Sequence, residues 1–286
     1  MIDFDRGAPV AGDLDVAWHA GSPSAKHDTA DEIQSHHYSE HTVIMRQNKA
    51  VHYEAPFMFL LFGNDRAVLI DTGATPKERF FPLRATVDAH IDRWLERHPR
   101  PDYGLLVAHT HGHGDHKAAD GQFTDRPNTV VVGTDLDEVV EFYGFTDWPD
   151  TSRTLDLGGR RLEVIPGPGH HPSATVFYDP HTGLLLTGDT LYPGRLYVDD
   201  WQDFGTTFTK LREFCANHPV THVLGCHIEM SRTPSEDYPI RTVYQPEEPP
   251  LQLSVSDVND VCEAIEAIGD SPGIHRYDRF IIHRGH

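Results

Sequence analysis

The sequence predicts an α/β protein of four layers, two sheets packed face to face with helices outside them (αββα). Short, wholly apolar runs of strand length alternate with stretches at helical spacing. They do so in two β-rich halves of the same grammar with no long linker between them, so the sheets are expected to cover one another within one domain. At 286 residues the chain can bury about three quarters of its unfolded surface without disulfide staples.

Taken in order, residues 1–50 are polar, with a Gly21-Ser22-Pro23-Ser24 stretch and His27, His36, His37 and His41, and lack sustained periodicity; they read as an extended arm. Residues 51–286 read as the single domain. It opens with two apolar runs, 57–62 and 67–71, around Gly63-Asn64-Asp65, the pattern of a β-hairpin. Residues 77–98 carry Phe80, Phe81, Leu83, Val87, Ile91, Trp94 and Leu95 near helical spacing and are stopped by Pro99 and Pro101. Strands are expected at 105–108 and 129–132, then a short acidic helix at 135–143. The second half gives strands at 161–165, 175–178 and 184–186, a helix at 206–217 and a strand at 222–224. A Pro-rich loop (Pro234, Pro239, Pro246, Pro249, Pro250) leads to a helix at 257–268 and a short tail.

Composition narrows the function. With 24 basic and 44 acidic residues the formal net charge is −20, which repels phosphate backbones and anionic lipid heads. Neither nucleic acid nor a membrane is expected as a partner; a small-molecule substrate is, and a homo-oligomer stays open. Cys215, Cys226 and Cys262 form no Cys-x-x-Cys pair, the pattern of reduced thiols. The start, Met1 to Arg6, has neither the basic region nor the apolar core of a signal peptide, and no apolar run nears the roughly 20 residues of a membrane span, so a cytoplasmic protein is expected. Histidine is unusually frequent at 21 residues, so charge should change steeply between about pH 5 and 7.

The chemistry concentrates in His111-Gly112-His113-Gly114-Asp115-His116, directly after the strand at 105–108. Four potential metal ligands lie within six positions, and the intervening glycines let the backbone curl to bring them to one point. This turn resembles the signature of the metallo-β-lactamase superfamily, whose further ligands come from a Pro-Gly-His segment, a strand ending in Gly-Asp and a last His at a strand end. Pro168-Gly169-His170, Thr187-Gly188-Asp189 and Gly225-Cys226-His227 match these in order. Leu69-Ile70-Asp71-Thr72-Gly73 is similar to the family's early Asp-Thr-Gly segment, whose Asp orients the ligand turn without binding metal.

The resemblance covers roughly residues 57–230 and implies the same αββα sandwich, with mixed sheets. It implies that His111, His113 and His170 hold one metal, Asp115, His116 and His227 a second, and that Asp189 bridges them. Five histidines and two carboxylates exceed what one tetrahedral ion accepts, whereas two bridged ions use them all. Two divalent ions are therefore expected; zinc suits this donor set, and iron or manganese also fit.

Two cations about 3.5–4 Å apart activate a shared water and polarise a carbonyl. The expected activity is hydrolysis of a small ester, lactone or thioester by a metal-bridging hydroxide, with Asp115 holding it in line and passing its proton to the leaving group. Tyr192, three residues after Asp189, resembles the tyrosine of metal-dependent lactonases that donates to the substrate carbonyl or leaving oxygen; simple packing on the loop is the other reading. The glyoxalase II branch adds a C-terminal helical domain for glutathione, and the 59 residues after His227 leave little room for one. Arg195, Arg232 and Arg241 could bind a carboxylate or form ordinary ion pairs. The alternative readings are a mononuclear iron oxygenase resembling persulfide dioxygenases, a phosphodiesterase, which the charge disfavours, and a non-catalytic scaffold.

Overall fold

The structure, a computed structural model, describes residues 1–285. Its first sheet begins earlier in the chain than the sequence predicts. Ile33–Ser39 (β1) and Thr42–Gln47 (β2) form an antiparallel pair, and β2 pairs in turn with Phe57–Phe62 (β3). The arm expected over residues 1–50 thus ends near residue 32. The polarity of this stretch was misleading because its charge is paired internally: Arg46, on the wholly buried β2, donates to both carboxylate oxygens of Glu248 at 2.6 and 2.7 Å. Residues before β1 have only a short 3-10 turn at Ala25–His27, yet they pack on the domain: Phe4 is buried against the rings of His41 and His181.

The expected hairpin is present, β3 pairing antiparallel with Arg66–Ile70 (β4). The following helix, Leu83–Arg97 (α1), starts later than the pattern at 77 suggests, because Pro82 occupies its N-cap and residues 77–81 form a turn. α1 carries the chain back so that Gly104–Ala108 (β5) lies parallel to β4. The ligand-rich turn follows and closes in one helical turn, Gly114–Lys117 (α2). Thr129–Val131 (β6) completes the sheet in the order β1-β2-β3-β4-β5-β6. The acidic helix, Leu136–Tyr143 (α3), is bounded by an Asp135/Glu138 capping box and by Gly144 in the left-handed region at φ 70°.

The second half supplies Arg153–Asp156 (β7), Arg161–Pro166 (β8), Thr175–Asp179 (β9) and Leu184–Gly188 (β10). Arg195–Val198 (β11) leads into Trp201–Asn217 (α4), which begins five residues before the predicted start because Asp200 caps it, accepting from the Asp203 N–H at 2.8 Å. His222–Gly225 (β12), Gln252–Leu253 (β13) and Val255–Ile268 (α5) follow. The second sheet runs β13-β12-β10-β9-β8-β7 and is mixed, β10 and β12 being parallel. The predicted tail is structured: Gly273–Arg276 (β14) and Ile281–Arg284 (β15) join β11 in a small sheet of order β11-β15-β14. Its strands are four residues long and mixed in polarity, too short for alternation to stand out.

Period-two alternation sets the layers. Phe57, Phe59 and Leu61 of β3 face the same core as Val164, Phe177, Leu186 and Leu224 of the second sheet. Met58, Leu60 and Phe62 point the other way, onto Val87, Ile91 and Trp94 of α1. Ile165, Val176 and Val223 likewise face Phe204, Phe208 and Leu211 of α4 and Val258 and Val261 of α5. Helix, sheet, sheet and helix stack as expected. Arg160, fully buried, ties the two sheets: it donates to both carboxylate oxygens of Asp179 and also to the carbonyls of His41 and Phe62 and the hydroxyl of Thr42. No helix among the described residues is long and apolar enough to cross a membrane.

Candidate metal centre

The C-terminal ends of β4, β5, β10 and β12 meet along one rim of the sandwich, two parallel pairs, one from each sheet. Asp71 follows β4 in the left-handed region, at φ 65°. Its carboxylate is fully buried and receives the Thr110 N–H at 2.7 Å, the Thr110 hydroxyl at 2.8 Å, His116 Nδ1–H at 2.9 Å and the Cys226 thiol at 3.2 Å. It thereby fixes the turn after β5 to the end of β12. Burial pushes the Cys226 thiol well above its ordinary pKa, so it stays a donor.

Two donor groups converge beyond Asp71. In the first, His111 Nε2 lies 2.9 Å from His113 Nδ1, and His170 Nε2 lies 3.2 and 3.1 Å from these two. In the second, Asp115 Oδ2 is 3.2 Å from both His116 Nε2 and His227 Nε2. Asp189 spans the two: Oδ1 is 3.5 Å from His116 Nε2 and 3.3 Å from His227 Nε2, while Oδ2 is 3.6 Å from His170 Nε2. Gly188 makes this approach possible, since a Cβ there would meet the Thr110 Cβ at 2.5 Å.

The outer nitrogen of most of these rings is committed, which frees the inner lone pair. His116 donates from Nδ1 to Asp71, His170 from Nδ1 to the Tyr197 carbonyl at 2.8 Å and His227 from Nδ1 to the Glu54 carbonyl at 3.1 Å. His111 Nδ1 lies 3.2 Å from the Thr110 hydroxyl.

The arrangement fits divalent ions. His116 Nε2 and Asp189 Oδ1 are buried without a hydrogen-bond partner in the protein, a costly condition that a cation would relieve. Three nitrogens at 2.9, 3.1 and 3.2 Å from one another leave a point roughly 2 Å from each, close to the zinc–imidazole bond of about 2.0–2.1 Å.

Electrostatics separates the groups. Burial, with His116 next, pushes His111 well below its ordinary pKa, and burial with His170 lowers His113. Burial also opposes charge on His116 and His227, yet Asp115 and Asp189 outweigh it and raise both well above the usual value, with Asp71 adding to the effect on His116. Burial would raise Asp115 and Asp189, but the His116 and His227 rings hold both carboxyls well below the usual range. A proton and a cation are alternatives at these nitrogens, so binding would release protons.

Of the two readings open for Tyr192, the geometry favours packing on the loop. The tyrosine hydroxyl donates to the Arg195 carbonyl and lies 3.2 Å from Glu229 Oε2, so its single proton is not free for a substrate. Its ring instead packs edge-on against His227, centroids 5.4 Å apart. Arg195 is buried in ion pairs with Glu229 and Asp237 at 2.8 and 2.6 Å, whereas Arg232 and Arg241 are exposed. The Pro-rich loop closes over residues 14–20, and together they bound a cavity of about 600 Å³ lined by Trp18, Ile228, Gln245 and Leu251. None of the predicted ligands lines it.

Sequence reasoning passed over Glu229, two residues beyond His227, and His171, whose ring stands 4.9 Å from that of His113. Proximity to a motif was the available signal for both. The carbonyls of Glu54 and Tyr197 had none, since every residue carries one.

Comparisons with known proteins bear on the family and the fold. Residues 54–223 match the family described as the metallo-beta-lactamase superfamily. The hydroxyacylglutathione hydrolase of Idiomarina loihiensis is 28% identical over 137 residues, 44% of this chain and 51% of that protein. A Synechococcus protein of the same name is 34% identical over 113 residues, 38% of this chain and 44% of that one. The chain thus spans about half the length of the curated relatives it matches. Among solved structures, a metallo-beta-lactamase from Pontibacter korlensis superposes with a TM-score of 0.52 at 19% identity, over 82% of this chain and 99% of that one. The DIM-1 metallo-beta-lactamase exposed to ceftazidime gives 0.54 at 13% identity, over 85% and 100%. At those identities the likeness concerns the fold.

Proposed function

We propose, from the premise that this chain belongs to the metallo-beta-lactamase superfamily, that it is a metal-dependent hydrolase of a small ester, lactone or thioester. The observation that carries this reading is Asp189, whose two oxygens face two different donor groups. His111, His113 and His170 would hold one divalent cation, Asp115, His116 and His227 the other, and zinc is the cation we favour for imidazole and carboxylate donors. Bound there, two cations would lower the pKa of a shared water and polarise a carbonyl for attack.

The chain's own contribution is positional. His113 and Asp115 are only partly buried and reach solvent, while His111 and His116 are buried. Asp115 is the carboxylate on the open side, placed to hold the attacking water in line and to pass its proton to the leaving group. Tyr192 is assigned no proton transfer. A thioester is the substrate class we favour, because curated relatives carry the name hydroxyacylglutathione hydrolase. Three buried, unpaired cysteines support a reducing compartment.

The test is elemental analysis and turnover with tag-free protein. About two divalent ions per chain are expected, with hydrolysis of at least one member of an ester, lactone and thioester panel, and loss of both in Asp189→Ala. Metal-loaded protein that turns over none of the panel, with Asp189→Ala behaving the same, refutes the proposal. One iron per chain with oxygen uptake would establish the oxygenase instead.

A further inference from the structure

We infer that Glu229 is a positioning residue for the second donor group: it holds Tyr192 so that the tyrosine ring fixes the imidazole of His227 toward Asp189. The inference rests on the two-cation reading above. His227 is held by hydrogen bonding at one outer atom, Nδ1 to the Glu54 carbonyl, and a single bond leaves the ring free to rock about it. The Tyr192 ring blocks that motion, packed against the imidazole with the planes 68° apart.

Tyr192 is itself held at its far end. Its hydroxyl bonds the Arg195 carbonyl and lies 3.2 Å from Glu229 Oε2. The same Oε2 accepts the Arg195 N–H at 2.8 Å, and Oε1 accepts from Arg195 Nη2 at 2.8 Å. The main chain joins the same two segments, the N–H groups of Glu229 and Met230 both donating to the Pro193 carbonyl, at 2.8 and 3.0 Å. The segment after Asp189 and the segment after His227 are thus fastened to one another by side chain and backbone together, and Glu229 takes part in both.

There is no slack around the ring. A Cβ on Gly194 would approach the Tyr192 ring to 2.1 Å and Glu229 Oε2 to 2.8 Å, and one on Gly225 would meet the Tyr192 Cβ at 2.4 Å. Outward, Arg195 donates to Asp237 Oδ2 at 2.6 Å and Arg276 to Asp237 Oδ1 at 2.7 Å. Glu229, Arg195, Asp237 and Arg276 carry two charges of each sign. The cluster is therefore neutral as a whole, and Tyr192→Phe, which alters no charge, separates its geometric effect on the donor groups from an electrostatic one.

Cobalt titration of the tag-free apoprotein, followed by visible absorption and by competition with a chelator, tests this without recourse to catalysis. Wild type is expected to take up two ions. Glu229→Ala should keep the first at wild-type affinity and weaken the second by about 10–100-fold, the range usual for outer partners of a ligand, with an altered spectrum for the second ion. Glu229→Gln, which keeps an acceptor for the Arg195 N–H, should fall between, and Tyr192→Phe should show a smaller loss in the same direction. Circular dichroism and cooperative urea unfolding check each variant; if Glu229→Ala does not fold, the Gln and Phe variants decide. Wild-type affinity and spectrum in the folded variants would overturn the inference, as would equal weakening of both ions. Fewer than two ions on wild type would instead bring down the two-cation reading, and this inference with it.

Discussion

Asp71 holds a backbone conformation that costs an L-residue about 1–2 kcal/mol, and four donors on its carboxylate maintain it. Asp71→Ala would leave the Thr110 N–H, the Thr110 hydroxyl and His116 Nδ1 without their acceptor. Each buried orphan costs about 1–3 kcal/mol, so the midpoint of urea unfolding should fall markedly; an unchanged midpoint would refute the account of Asp71 as the organiser of the turn. This residue was legible in the sequence, because the Asp-Thr-Gly segment marks it. The direction of the Tyr192 hydroxyl was not. Spacing from Asp189 placed the residue at the rim, but only the arrangement of Arg195 and Glu229, one of them 37 positions away in the chain, decides where its proton goes.

Among elements, the strands of the two main sheets that carry unbroken apolar runs were legible to within a few residues, and those whose polar groups are satisfied internally were not. β2 buries Arg46 and Gln47, and only pairing with Glu248 makes that tolerable for the arginine. Arg160 shows the same physics with a sharper test. Burial would raise the Asp179 carboxyl, but the Arg160 guanidinium outweighs it and holds it below the usual range. Asp179 therefore contributes stability above its unfolded pKa, and that contribution is lost as pH falls through the folded value. Arg160→Ala strands a buried carboxylate and should cost about 3–5 kcal/mol at pH 7. Without the guanidinium, burial raises the carboxyl, so protonation relieves the penalty and the cost should shrink at pH 4.5. Urea unfolding at the two pH values measures both, and an equal loss at each would count against the buried-pair account.

For the whole molecule, the two matching halves and their layer order were legible because binary patterning is a global property, whereas the small C-terminal sheet rests on pairings with β11 that no local pattern announces. The histidine excess has a thermodynamic consequence. Burial pulls His41 and His90 down to about 4, with Glu40 partly opposing this at His41 and His37 and Arg93 reinforcing it at His90. Arg160, His181 and His98 also face His41, and the Ser35 hydroxyl lies 3.0 Å from His90. Both rings stay neutral in the fold while the unfolded chain takes up protons near 6.5, so stability is full above that pH and falls as pH drops from 6.5 towards 4. Thermal melts across pH 7.5 to 4.5 should show the decline, less steep in His90→Gln; a flat profile would exclude it.

The rim where the two sheets meet has one more implication. His111, His113, Asp115 and His116 come from the first half of the chain, and His170, Asp189 and His227 from the second, so each donor group is completed across the seam. Ligation is then an act of assembly as well as of chemistry. A cation seated in either group would rivet one half to the other, and the same bonds that prepare a water for attack would keep the sandwich shut along its working edge.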